Sequence, residues 1–364
     1  KIINNSFVRN VIILASGTIA AQALNFILSP IITRLYGPEA YGLMGTFMSM
    51  VTIITPIAAL TYPIAIVLPK SDYVAKGIVR LSLYVTAGIS GITLLVLLFF
   101  KDLIVNTFHL EEISPFLYLI PFVICSAGIL QVIEQWLIRT KQFKITAKAV
   151  FLQAFLTNGG KVGIGFFHPT STVLIILSAL SNGLKALLLI LFTKGKNKKG
   201  SDEKAVIKVS IKQLAKEYRD FPIFRAPESF LHAVTHGLPT LLLSSFFGPV
   251  SAGFYSIART VLHLPTLLIG KSVGDVFYPR ISEAAHNDEN LTNLIKKATI
   301  SLALVGFIPF GLIFAFGPWL FGFVFGKEWV MAGEYARWLS IGIFFGVMIS
   351  PWISALPVIS AQVF

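Results

Sequence analysis

Apolar runs of about twenty residues recur along almost the whole chain, and they leave it few folds, because that length of helix is what crosses a bilayer core. About ten such spans fit, with approximate limits 8–33, 41–68, 77–100, 115–138, 145–167, 172–193, 221–246, 250–278, 297–325 and 335–359. Barrel strands would alternate in polarity over about ten residues, whereas these runs are apolar on most faces. Of the 364 residues, 55% are hydrophobic and only 13% are charged, a balance foreign to ordinary soluble domains. The expected fold is an all-α, polytopic transmembrane helix bundle.

The formal net charge of +13 raises the question of a nucleic-acid partner, and the placement of the basic residues answers it. With the N-terminus in the cytoplasm, the inner segments hold Lys1, Arg9, Lys70, Lys76, Arg80, Arg139, Lys141, Lys144, Lys148, the basic residues of the 194–219 loop, Arg280, Lys296 and Lys297. The outer segments hold only Arg34, Lys101, Lys327 and Arg337. This is the positive-inside bias, so the charge reports topology and contact with anionic lipid headgroups, not nucleic acid. Cys125, the single cysteine, lies mid-span and reads as a small apolar filler. No cleavable signal is expected, since the first apolar run outlasts a signal core and continues to Arg34.

A weak internal repeat organises the spans. Gly37-Pro38-Glu39-Ala40-Tyr41-Gly42 follows the first span and Gly248-Pro249-Val250-Ser251-Ala252-Gly253 the seventh. Proline stops a helix and glycine permits a tight reversal, so both are turns with the same sidedness. The expected division is a six-helix lobe over 1–193, a basic linker over 194–220 and a second lobe of about four helices over 221–364. Two parallel repeats would set the first and seventh spans opposite each other around a central cavity. Against a twelve-helix design, the second lobe is expected to be incomplete. Within the linker, Val206, Val209, Leu214 and Tyr218 alternate with Lys208, Lys212, Lys216 and Arg219, a pattern that suits a short helix on the inner membrane surface.

Polar residues inside spans are the functional candidates. Between Tyr218 and Asp275 lie Arg225, Glu228, His232, His236, Arg259, His263 and Lys271. As a helix, Arg225, Glu228, His232 and His236 fall at i, i+3, i+7 and i+11 and share one face. Such groups must face a cavity or protein, which makes them a functional hypothesis. Milder stripes are Thr18, Gln22, Asn25 and Ser29; Gln153, Thr157 and Lys161; and Ser178, Ser181 or Asn182, and Lys185. Each reads equally as polar glue between helices or as part of a shared lumen. Glu134, flanked by Gln131 and Gln135, has Arg139 and Lys141 nearby as candidate partners for an interfacial salt bridge. Pro222, Pro227 and Pro239 interrupt the seventh span, Pro265 the eighth and Pro56 the second, so kinks are expected there.

Three runs carry a resemblance: Glu217-Tyr-Arg-Asp-Phe-Pro-Ile-Phe224, Ala252-Gly-Phe-Tyr-Ser-Ile-Ala-Arg-Thr-Val-Leu-His-Leu-Pro265, and Phe316-Gly-Pro-Trp-Leu-Phe-Gly-Phe-Val-Phe-Gly-Lys-Glu-Trp329 continuing to Arg337. In order and topology the chain resembles the bacterial polysaccharide and O-antigen flippases of the multidrug, oligosaccharidyl-lipid and polysaccharide exporter superfamily. The resemblance implies a multi-pass protein of the bacterial cytoplasmic membrane. It would move an undecaprenyl-diphosphate-linked oligosaccharide from the inner to the outer leaflet by alternating access, with membrane lipids and polysaccharide polymerase machinery as candidate partners. Related lipid II flippases carry an arginine at a place similar to Arg259, within a Tyr-x-x-Ala-Arg run.

For a diphosphate cargo, Arg225 and Arg259 are the leading ligands, because a guanidinium fork holds phosphate oxygens in two hydrogen bonds. Lys161 and Lys271 are secondary candidates, and Gln22 and Asn25 add polar lining. Glu228 would neutralise Arg225 in the empty site, and Asp275 would do so for Lys271. His232, His236 and His263 leave three readings open: cavity hydrogen bonding, proton coupling and, for the first two with Glu228, a metal site. No cofactor is expected, and coupling to H⁺ or Na⁺ is left open. A drug exporter of the same superfamily would favour an acidic pocket. The balance here is basic, with Lys161, Lys185, Arg225, Arg259 and Lys271 against Glu134, Glu228 and Asp275. A polymerase or ligase would be expected to place catalytic groups on a large outer loop, and the outer connections are short, so a transporter is expected and not an enzyme.

Overall fold

The computed structural model describes residues 6–194, 210–272, 277–287, 289–356 and 358. Its helices are α1 Ser6–Ile54, α2 Asp72–Phe108, α3 Ile120–Arg139, α4 Phe143–Gly165, α5 Ser171–Lys194, α6 Ile211–Glu217, α7 Ala226–Phe247, α8 Pro249–Ser272, α9 Tyr278–His286, α10 Leu291–Val324 and α11 Val330–Ala355. No strand occurs among the described residues. Seven stretches are long and apolar enough to cross a membrane. One of these, Ser16–Ile57, is two spans divided at Gly37, while α4 and α8 are lowered in hydropathy by their cations. Counted that way, each expected span is helical over at least part of its length among the described residues.

Gly37 has φ 70° and ψ 174°, a region essentially closed to residues with a side chain. Gly248, between α7 and α8, has φ 81° and ψ 168°. The repeated G-P-x-x-x-G turn is therefore a repeat of backbone conformation as well as of sequence. It extends further. His109 (φ 49°) precedes the 3-10 segment Glu111–Leu119, and Gly326 (φ 116°) precedes the 3-10 turn Lys327–Trp329. Alanine at Gly248 would meet no atom within 4 Å, so its cost is backbone strain alone, about 1–3 kcal/mol. The Gly248→Ala protein is expected to melt earlier in detergent by that amount, and an unchanged midpoint would dismiss the strain argument.

The second span is not the continuous helix its apolar pattern suggests. Helix ends at Ile54, followed by 3-10 turns at Thr55–Ile57 and Tyr62–Val67 around left-handed Leu60 (φ 46°) and Thr61 (φ 56°). Pro56 and Pro63 remove two amide donors. Irregular backbone at membrane depth has to be satisfied by protein. Gln131 Nε2 donates to the Thr55 carbonyl at 3.0 Å, and the Thr61 hydroxyl donates to the Phe221 carbonyl at 2.9 Å. Among the other prolines, Pro222 lies in a π-helical turn, Phe221–Arg225, whereas Pro239 and Pro265 sit inside continuous helix.

The linker helix α6 is anchored to the first lobe through one side chain. Leu214 of α6 is fully buried among Tyr62, Ala65, Ala75 and Ile78. A Cβ on Gly77 would lie 2.6 Å from its Cδ1, so glycine lets α6 lie close against α2. Val206 and Val209 lie outside the described residues.

The chain divides into two compact units, Lys1–Ala252 and Gly253–Phe364. That border falls within α8, while the expected division follows the linker; one reflects packing and the other repeat register. In the first unit α1 runs along α4, α5 and α7, and α3 packs on α2 and α5. Gly17 of α1 approaches α4 so closely that a Cβ would sit 2.6 Å from Ala147 Cβ. The main core joins Phe47 and Val51 to Ile113, Leu117, Ile120 and Ile124. In the second unit α10 and α11 form the principal pair. Pro318 cannot donate to the Phe314 carbonyl one turn back. Arg337 of α11 does so instead, with Nε at 2.9 Å, while its NH1 binds Glu334 at 3.0 Å.

Candidate functional site

The π-helical turn at Phe221–Arg225 leads into α7, whose two faces differ sharply. Ala226, Ala233, Gly237, Thr240 and Ser244 are buried, and Gly237 abuts Ser49 and Ile53 in the second half of α1. Arg225, Glu228, His232 and His236 are exposed. The expected one-face stripe is thus an open helix face.

Arg225 NH1 lies 3.7 Å from Glu228 Oε2, with the side chains 64% and 68% exposed. A pair so open contributes at most about 1 kcal/mol, so another anion can displace it easily. One turn on, His232 Nε2 and His236 Nε2 are 3.2 Å apart, with the rings edge to face. In such a contact one ring offers N–H and the other a lone pair. Among the described residues no group of three or more His, Cys, Asp or Glu is placed to hold a metal.

Arg259 is half-buried on α8 and engaged in an interaction, and His263 is exposed one turn further on. They belong to the second unit, and Arg225 to the first. The Lys271 side chain and Asp275 lie outside the described set, so the expected pairing of the two does too.

Lys161 is half-buried on α4, its Nζ 3.9 Å from the Met44 sulfur. The Ser178 hydroxyl donates to the same sulfur at 3.2 Å. No carboxylate pairs with Lys161 among the described residues. Of the milder stripes, Gln153 donates to Ser181 at 2.6 Å and to Thr157 at 3.3 Å, while Asn25 accepts from Asn158, a residue outside the expected stripes, at 2.6 Å. At those positions they join α4 to α1 and α5. Gln22 is exposed.

Glu134 pairs across helices with Lys185 of α5 at 2.7 Å, not with Arg139 or Lys141. Arg139 is committed elsewhere: to Asp72 at 2.8 Å and to the carbonyls of Ile66 and Pro69. Sequence neighbours lost to a distant partner because Arg139 is drawn to the carbonyls exposed by the broken second span. Outside the spans, hydrogen bonds from Arg280 hold the exposed Glu289 carboxyl below its ordinary range.

Beside Glu134 lies a cavity of about 250 Å³, lined by Thr61, Gln131, Gln135 and Ser229 together with Pro56, Pro63 and Ile64. Thr61 and Ser229 escape sequence reasoning. The usable signal is the proline pair, Pro56 and Pro63, which marks a broken helix inside an apolar run.

Residues 7–285 match the family described as polysaccharide biosynthesis protein. No curated protein matches. The fold is similar to a solved structure described as an inward-facing conformation of a multidrug resistance MATE family transporter of the MOP superfamily. The TM-score is 0.65 at 13% identity, over 93% of this chain and 84% of that one. At that identity the likeness is one of fold. With the match spanning well over half its length, this multi-pass helical chain belongs to the polysaccharide biosynthesis protein family.

Proposed function

We propose that the protein is a flippase that carries a polyprenyl-diphosphate-linked oligosaccharide from the inner to the outer leaflet of a bacterial cytoplasmic membrane, by alternating access and with its N-terminus inside. The observation that carries this reading is the open face of α7, where Arg225 is held only loosely by Glu228. A diphosphate and its glycan must cross about 30 Å of hydrocarbon, and a forked cation with an easily displaced counter-ion suits that anion. Intramembrane charge leans the same way. Lys185 is neutralised by Glu134, while Lys161 faces a thioether.

A drug exporter is the second reading, favoured by the MATE-like fold. Vesicles carrying the protein separate the two. A fluorescent lipid-diphosphate glycan placed in one leaflet is expected to become accessible on the other only when the protein is present. Movement of ethidium with no movement of the glycolipid would overturn the flippase reading.

A further inference from the structure

We infer that the cavity beside Glu134 is a subsite for one neutral sugar ring, the ring bonded directly to the cargo diphosphate; this rests on the flippase reading. The hydrogen-bonding capacity in the cavity is partly unspent, and what is left is mixed. The Gln135 amide and Ser229 hydroxyl make no side-chain hydrogen bond among the described residues. The second carboxylate oxygen of Glu134 and the carbonyl oxygen of Gln131 are also unused there, their partner atoms being taken by Lys185 and Thr55. Both donors and acceptors are therefore left among the residues lining a space whose one charge is already paired.

That composition selects against ions. A metal cation would want acceptors only and further carboxylates, and a phosphate would want donors and a free cation. Hydroxyl groups both donate and accept, so a polyhydroxylated ring meets both halves of the lining. Pro56, Pro63 and Ile64 supply apolar wall for the C–H face of such a ring. The volume, about 250 Å³, equals the liquid share of roughly eight waters, room for one substituted pyranose and not for a chain of them.

The walls are also fixed in advance. Thr61 is held in its left-handed conformation by the hydrogen bond to Phe221, and Gln131 by the one to Thr55. Prepared walls lower the ordering cost of binding. Position completes the argument. Ser229 follows Arg225 by four residues, which on a helix separates their Cβ atoms by about 5–6 Å. A diphosphate on Arg225 would thus bring its attached ring beside Ser229.

The test is binding in nanodiscs of undecaprenyl diphosphate, bare or bearing a single sugar, with a panel of one N-acetylhexosamine and one hexose. The wild type is expected to bind at least one sugar-bearing probe about tenfold more tightly than the bare carrier, the net effect of the hydrogen bonds the ring gains less the cost of ordering it. Gln135→Ala combined with Ser229→Ala is expected to erase that preference while the bare carrier still binds, which also reports a folded protein. A wild-type preference retained by the double variant overturns the subsite, as does a wild type that prefers no sugar. If the wild type binds neither probe, the flippase reading itself falls.

Discussion

Alanine at Arg225, and separately at Arg259, is expected to remove glycan export while the protein still inserts and accumulates normally. A guanidinium makes two charge-assisted hydrogen bonds to phosphate oxygens, each worth about 1.5–3 kcal/mol. Losing both lowers cargo affinity by roughly a hundredfold or more. Folding is spared at Arg225, because the side chain is 64% exposed and its contact with Glu228 is long. Lysine at either position keeps the charge and loses the fork, so partial export is expected there. Wild-type surface polysaccharide in both alanine variants, at normal expression, would sink the cationic-site reading. If only Arg259→Ala keeps export, the anion is carried by α7 alone.

The largest loss of stability is expected from Gly333→Ala. A Cβ there would lie 2.5 Å from the Gly317 carbonyl oxygen and 2.5 Å from Pro318 Cα, both backbone atoms that no rotamer change can move. Carbon and oxygen rest comfortably at about 3.3 Å, so α10 and α11 must part by nearly 1 Å. Overpacking of this kind costs about 1–3 kcal/mol. One turn along α11, the same displacement pulls Arg337 off the Phe314 carbonyl, which Pro318 has left without its helical partner. An unsatisfied carbonyl in hydrocarbon adds several kcal/mol, a large share of a typical total of about 5–15 kcal/mol. Detergent melting should show the second unit collapsing early. Gly342→Ala and Gly346→Ala serve as controls on the same helix, where no atom lies within 4 Å of the added Cβ. Equal midpoints for Gly333→Ala and the controls would refute the packing account.

Much of this is local chemistry, and local chemistry is legible in order along a chain. The length of each apolar run set the spans, and the Gly-Pro pairs set the turns, because glycine alone tolerates the backbone found at Gly37 and Gly248. The α7 stripe followed from helical period: Arg225, Glu228, His232 and His236 share a face whatever packs behind them. What could not be read was the choice among partners. Glu134 has basic neighbours five and seven residues away, yet it pairs with Lys185, because Arg139 is captured by carbonyls of a broken span packed alongside. The break itself depends on tertiary support. Around left-handed Leu60 and Thr61, groups far off in sequence complete the bonding: Gln131 donates to the Thr55 carbonyl, and the Thr61 hydroxyl donates to the Phe221 carbonyl. In hydrocarbon every freed polar group must find protein, and which protein it finds is decided by packing, not by sequence distance.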